Sequence, residues 1–255
     1  MRLTLTLLIA AAATLVAVPS SASYATGTLN LRVTVPVLST LVQCPAEVPP
    51  DATDCRARSG SALIRGLGRV SERYTWSYRL GPPTCDAGLA KPLATSGRLI
   101  VAGKGEIQFA LELGSRCIEL EPVRNEPQDF TITGGTGAYE GASGSGTVER
   151  AISSGSGSET WVGTLSVPGL EFDITPPTLR GASSKTVRAP KGATRVRITY
   201  QVTASDAVQG KVPVTCRPRS GSRFPIGRTA VRCLATDSSG NTGRASFGVT
   251  VRRAG

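Results

Sequence analysis

The sequence predicts an all-β chain: an eight-stranded antiparallel β-barrel followed by an immunoglobulin-like β-sandwich. Three observations carry this. Gly and Pro number 29 and 17 and long helix-period stretches are missing, so tight turns joining strands are the natural organisation. Period-two alternation of apolar and polar residues recurs in both halves, each stretch able to bury one face. The net charge of +11 sits in the second half, so composition breaks near Gly169 to Pro177, where a domain boundary is expected.

Arg2 precedes the apolar run Leu3 to Pro19 and the small residues Ser20, Ser21 and Ala22. This pattern predicts a signal peptide over 1–23 cleaved near Ala22 or Ser23. No later segment is apolar enough to span a bilayer, so the mature chain is expected to lack a transmembrane segment and to be secreted, extracellular or associated with the cell wall.

Residues 24–170 are expected to form the barrel. Ile107, Phe109, Leu111 and Leu113 alternate with polar or small residues, as do Tyr74, Trp76, Tyr78 and Leu80. Eight strand candidates fall near 26–35, 61–70, 72–80, 93–102, 105–114, 127–133, 144–152 and 158–167, with Gly103-Lys104-Gly105 as a hairpin turn. Closing such a sheet into a barrel removes its exposed edges, with a sandwich as the alternative. The glycine-rich stretch from Phe130 to Val148 (Gly134-Gly-Thr-Gly137-Ala-Tyr139-Glu-Gly141-Ala-Ser-Gly144-Ser-Gly146) lacks the Gly-Lys-Ser/Thr ending of a phosphate loop and the spacing of a nucleophile elbow. It reads as a structural connection with Tyr139 packing back on the barrel end. The same stretch resembles the corresponding segment of the allene oxide cyclase and dirigent barrel families, a resemblance that implies the barrel and transfers no active-site residue.

Residues 171–255 form the basic unit. Fifteen Lys and Arg face only Glu171, Asp173, Asp206 and Asp237. Val196, Ile198, Tyr200 and Val202 alternate with polar neighbours, and Phe247, Val249 and Val251 repeat the pattern. Asp173-Ile-Thr-Pro176-Pro177, Val214-Thr-Cys216-Arg-Pro218, Phe224-Pro225-Ile-Gly227 and Ala235-Thr-Asp237-Ser-Ser-Gly240-Asn241 together resemble the hyalin repeat, or HYR, an immunoglobulin-like extracellular module. That resemblance implies adhesion-type contacts with proteins or glycans. Asp237 to Asn241 looks like a fragment of a calcium loop, but it lacks the remaining acidic positions of such a loop, and a hairpin turn is the reading adopted.

Six cysteines behind a signal peptide predict disulfides in an oxidising compartment. Cys216 with Cys233 would close a loop of about eighteen residues and contribute roughly 3 kcal/mol. Phe224 to Gly227 would be the turn between them. Cys44 with Cys55 would flank a Pro-rich loop, leaving Cys85 and Cys117 as partners, although the sequence permits other connectivities.

Function is narrowed chiefly by exclusion. With no histidine, neither a Ser-His-Asp or Cys-His nucleophile system nor a His-ligated metal can be assembled. No catalytic, cofactor or metal residue is assigned. The expected role is a secreted, non-enzymatic interaction or adhesion-type protein whose basic HYR unit binds cell-surface or extracellular proteins or glycans, anionic cell-wall polymers among them. Arg217, Arg219, Arg223, Arg228 and Arg232 are the candidate contacts; strand alternation could equally split them between two faces as plain solvated surface. Tyr200, Phe224 and Phe247 are too few for a base-stacking platform, so nucleic acid is not the expected partner. The alternative is a carrier of a small apolar ligand, or an isomerase- or cyclase-like enzyme, using the barrel interior. Glu106, Glu112, Glu119 and Glu121 are the carboxylates nearest that row, with Glu106 and Glu112 on its opposite face.

Overall fold

A computed structural model describes residues 24–46, 48–112, 117–119 and 123–254. The expected signal peptide, Leu113 and Glu121 lie outside the described residues. Of Glu119 only the backbone place is described.

The first part is built from β1 (Tyr24–Val42), β2 (Asp54–Ile64), β3 (Gly68–Leu80), β4 (Leu89–Val101), β5 (Gly105–Leu111), β6 (Ile118–Glu119), β7 (Val123–Gly135), β8 (Gly144–Ser153) and β9 (Ser156–Asp173). Eight of these run in the order β3-β2-β1-β9-β8-β7-β5-β4, and a β3–β4 ladder closes the ring. The barrel is therefore the predicted eight-stranded antiparallel one, with the two-residue β6 added beside Leu89 and Ala90. One strand candidate is corrected. The stretch 61–70 straddles a hairpin: β2 ends at Ile64, the chain turns over Arg65 to Leu67, and β3 begins at Gly68. Leu67 is buried within that turn, so an apolar residue at a turn mimicked a continuing strand.

Alternate residues of the barrel strands fill its interior. Leu29, Leu31, Val35 and Val37 of β1 meet Tyr74, Trp76, Phe109, Phe130, Val148, Trp161 and Leu165 in one core. Trp76 stacks on Tyr78, and the other aromatic rings pack in tilted and edge-to-face pairs, Trp161 lying 4.9 Å from both Phe109 and Phe130. Glycines make room for them. Gly146 and Gly163 face each other across β8 and β9, and a Cβ on either would stand within 3 Å of the Phe130 ring. In the glycine-rich connection a single 3-10 turn, Gly137–Tyr139, places Tyr139 in the core at 2 % exposure.

The second part comprises β10 (Thr178–Arg180), β11 (Lys185–Arg188), β12 (Arg195–Arg197), β13 (Thr203–Asp206), β14 (Gly210–Val212), β15 (Val214–Arg217), β16 (Arg223–Pro225), β17 (Gly227–Thr236) and β18 (Thr242–Arg252). They form a four-stranded sheet β11-β18-β17-β15, a three-stranded sheet β10-β13-β14 and the pair β12-β16. Ile198, Tyr200, Phe224, Val231, Phe247, Val249 and Val251 pack between the layers. The expected turn at Phe224 to Gly227 is replaced by a crossover: Arg223–Pro225 leaves the sheet of β15 and pairs with Arg195–Arg197 instead. The disulfides join Cys44 to Cys55, Cys85 to Cys117 and Cys216 to Cys233. Cys216 and Cys233 face each other in the β15–β17 ladder.

Candidate functional site

Three charged clusters stand out, and each is built by strand alternation. The first lies on the four-stranded sheet. Along β17 the odd residues Val231, Cys233 and Ala235 are buried, and along β18 Phe247, Val249 and Val251 are buried. The even residues of both strands therefore face out. Directly paired residues share a face, so the registers Arg217↔Arg232, Arg228↔Thr250, Leu234↔Arg244 and Arg188↔Arg252 place six arginines on one outer surface. All six are exposed. Two pairs, Arg217 with Arg232 and Arg188 with Arg252, are like charges directly opposite one another, an arrangement that destabilises a sheet. Among the described residues none of the six forms an ion pair.

The remaining predicted arginines are elsewhere. Arg223 sits on β16 opposite Arg197, and because the adjacent pair Phe224 and Val196 turns inward, both arginines face out from the other side of the sandwich. Arg219 lies in the loop between β15 and β16, lining a shallow hollow with Tyr200 and Gln201. The Tyr200 hydroxyl donates to the Pro218 carbonyl and shapes that loop. The structure thus brings together Arg217, Arg228 and Arg232, adds Arg188, Arg244 and Arg252, and separates Arg219 and Arg223. All fifteen Lys and Arg from Arg180 to Arg253 are exposed, whereas Asp173, Asp206 and Asp237 are buried at 7, 5 and 5 % exposure. The charged side chains on the surface of this part are accordingly almost all cationic.

The second cluster is inside the barrel. Arg58, Glu72, Arg150 and Glu159 are at most 4 % exposed. They occupy inward positions because Arg58 pairs with Tyr74 in register and Arg150 with Glu159. Glu159 Oε1 accepts from Arg58 Nη1 at 3.1 Å, from Arg150 Nε at 3.0 Å and from the Tyr74 hydroxyl. Both guanidinium groups lie over the Trp76 ring, Arg58 at 5.6 Å and Arg150 at 5.0 Å from its centroid. Burial, and after it the charge of Glu159, pushes the Glu72 carboxyl well above the usual carboxylate range. Both oxygens of Glu72, and Glu159 Oε2, meet no donor among the described residues, a setting that favours the protonated form of Glu72. Two guanidinium groups and two carboxyls are thus buried together beside the aromatic core of the barrel. Glu106 and Glu112 lie outside the barrel core, on the face opposite the apolar row as their phase requires. Glu106 pairs with Arg98 on the outer surface at 3.4 Å, and Glu112 is exposed.

The third cluster lies where the two parts meet. Asp173 ends β9, Asp206 ends β13, and Asp237 follows β17; one carboxylate oxygen from each lies within 4.8 Å of the others. Asp173 Oδ1 accepts from Thr175 N at 3.0 Å, and Asp206 Oδ1 accepts from Val208 N and Gln209 N at 2.9 and 2.8 Å. Asn241 donates from Nδ2 to Asp237 Oδ2 at 2.9 Å and to the Asp173 carbonyl at 3.0 Å. Around them the loop after β17 clasps the β2–β3 turn. Gly66 N donates to Ser239 O at 2.7 Å, Arg65 Nη2 donates to Ile174 O at 2.6 Å, and the Ser238 carbonyl comes so near Gly68 that a Cβ there would sit 2.2 Å from it.

Sequence reasoning passed over Arg58, Glu72, Arg150 and Glu159. The available signal was phase: Glu72 shares parity with Tyr74 and Trp76, and Glu159 with Trp161. Asp206 carried no signal beyond its place in a turn.

A model of the HYR domain matches residues 172–251. HYR is a domain family associated with adhesion-type extracellular proteins, and the three disulfides are consistent with that setting. The N-terminal barrel has the closed eight-stranded form implied by the resemblance to allene oxide cyclase and dirigent proteins, while that family is not confirmed by any match. Among the described residues no helix is long and apolar enough to cross a membrane. A search of curated proteins finds no match to the chain, so the family evidence rests on the HYR match across residues 172–251.

Proposed function

We propose that this chain is a secreted, non-catalytic interaction protein that binds anionic glycans or cell-wall polymers through the arginine face of β11-β18-β17-β15. In this reading a leader over 1–23 precedes a barrel unit over 24–170 and an HYR unit over 171–255. The observation that supports it best is the pairing of arginine against arginine in two places on one sheet face, with no ion pair to any of these arginines among the described residues. Such a face is unfavourable for the isolated fold and favourable against a polyanion, whose phosphate, sulfate or carboxylate groups can take paired N–H donors from each guanidinium. The spacing suits an extended ligand. Arg228 and Arg232 are four residues apart on one strand, about 13 Å at the usual rise, and Arg217, Arg244 and Arg252 extend the surface across neighbouring strands.

The test is binding of the full chain to purified teichoic acid, dextran sulfate and neutral dextran across a salt series. Binding to the two polyanions alone, falling steeply with salt, is expected. Replacing Arg217, Arg228 and Arg232 with Ala should abolish it, while replacing Arg195, Arg197 and Arg223 on the opposite side should leave most of it. Absence of binding even at low salt would refute the proposal. The alternative of a ligand carrier or enzyme would use the hollow lined by Arg58, Tyr74, Gly97 and Phe109, beside a core that Trp76 and Trp161 fill.

A further inference from the structure

We infer that Asp173, Asp206, Asp237 and Asn241 form a calcium site at the junction of the barrel with the HYR region. Three carboxylates, each at least nine-tenths buried, bring oxygen atoms within 4.8 Å of one another. Among the described residues no Lys or Arg pairs with any of them. Like charges gathered out of water repel strongly unless a cation joins them.

The acids do not carry the inference alone. Two further oxygens in the same cluster have no partner. Asp206 Oδ2 is buried and meets no donor, although its Oδ1 accepts from two backbone N–H groups. Asn241 is only 2 % exposed; its Nδ2 is committed to Asp237 and to the Asp173 carbonyl, which fixes the amide between two of the aspartates and leaves Oδ1 without a donor. A buried acceptor without a donor is costly. What these oxygens share is the need for a positive centre rather than for a proton donor.

The donor set selects the ion. Carboxylates and an amide carbonyl are hard oxygen ligands, which suit calcium with water completing six to eight positions. There is no histidine in the chain, and all six cysteines are in disulfides, so the soft and imidazole-loving transition metals find no preferred ligand. Side chains from β9, β13 and the loop after β17 reach the ion from three directions, and the same loop clasps the β2–β3 turn through Gly66 and Ser239. Calcium therefore ties the end of the barrel to the HYR region.

The experiment is equilibrium dialysis of the full chain against radioactive calcium, paired with thermal melts in calcium, in magnesium and in chelator at matched ionic strength. One calcium per chain is expected, with a dissociation constant on the order of 10⁻⁴–10⁻³ M, as in extracellular modules. Calcium at a hundredfold excess over that constant should raise the melting temperature by about 5–10 °C, and magnesium by less. Asp206→Asn retains the Oδ1 that caps Val208 and Gln209 but exchanges the orphaned oxygen for a donor. It should bind calcium at least about tenfold more weakly, yet melt no lower than the parent in chelator, since one repelling charge is gone. Asp173→Asn, which likewise keeps its bond to Thr175, should behave the same way and stands in if the first variant does not fold. No uptake by the parent chain up to about 10 mM calcium, well above the expected range, would overturn the inference. So would undiminished stoichiometric uptake by both variants.

Discussion

Replacing Arg232 with glutamate should strengthen the fold while weakening polyanion binding. Arg232 faces Arg217 directly across β15–β17, and Arg244, which pairs with Leu234, stands diagonally across β17–β18. Opposed side chains in an antiparallel ladder lie about 5 Å apart at Cβ and diagonal ones about 7–8 Å, close enough for charges to act on each other. Reversing one charge removes a repulsion and creates an attraction, each roughly 0.2–1 kcal/mol for exposed groups. The expected gain is about 1 kcal/mol at low salt, less than half that at physiological ionic strength, where the screening length is about 8 Å. Thermal melts of a chain this size should then rise by about 2–4 °C at low salt, and urea titrations at about 0.01 M and about 1 M salt should show the gain vanish at the higher. The same variant should bind teichoic acid at least about tenfold more weakly, since the face loses two units of net charge. Arg223→Glu, on the opposite side of the sandwich, serves as control for net charge alone. A loss of stability at low salt would refute the claim that the paired arginines repel, and unchanged affinity would remove the face as the binding surface.

Three further outcomes follow from the buried groups. Glu159→Gln should cost about 3–5 kcal/mol in denaturant titrations, because Arg58 and Arg150 would lose their shared counter-charge in the barrel centre; a loss under about 1 kcal/mol would show that the cluster is not electrostatically closed. Glu72 has a folded-state affinity for its proton raised above the ordinary carboxyl value near 4.5, so the stability it contributes is complete below that value and is lost as pH rises through the raised one. Glu72→Gln should remove that decline, and melts whose pH dependence is unchanged by the substitution would contradict a protonated Glu72. Replacing Cys216 and Cys233, 17 positions apart, with serine should lower stability by about 3 kcal/mol, measured by urea titration of variant and parent without reductant.

Much of this architecture was legible because the barrel strands alternate cleanly. Ile107, Phe109 and Leu111, and Tyr74, Trp76 and Tyr78, all point inward as their parity requires. The arginine face was half legible. Parity alone groups Arg228 with Arg232, and opposed cysteines at 216 and 233 set Arg217 against Arg232. Nothing local announced that β16 leaves that sheet, which is why the position of Arg223 apart from its neighbours in sequence was not legible. The aspartate cluster lay beyond a linear reading. Asp237 resembled part of a calcium loop, but the partners it lacked locally are supplied by Asp173 and Asp206 from distant strands. Charges in the barrel were hidden for a different reason: a polar residue in phase with aromatic ones reads as an exception to the pattern until its counter-charge is seen across the ring.

The scarcity of acidic groups on the HYR surface has a bearing on acidic surroundings. Guanidinium groups stay charged at any pH a folded protein withstands, the chain has no histidine to titrate near neutrality, and three of the four carboxylates from Glu171 onward are withdrawn into the junction. Acidification therefore leaves the arginine face with the same charge it carries at neutral pH. Any change in grip between a neutral and an acidified niche would come from the polymer, as its carboxylates or phosphates take up protons, and the protein would report the ionisation of the surface it touches.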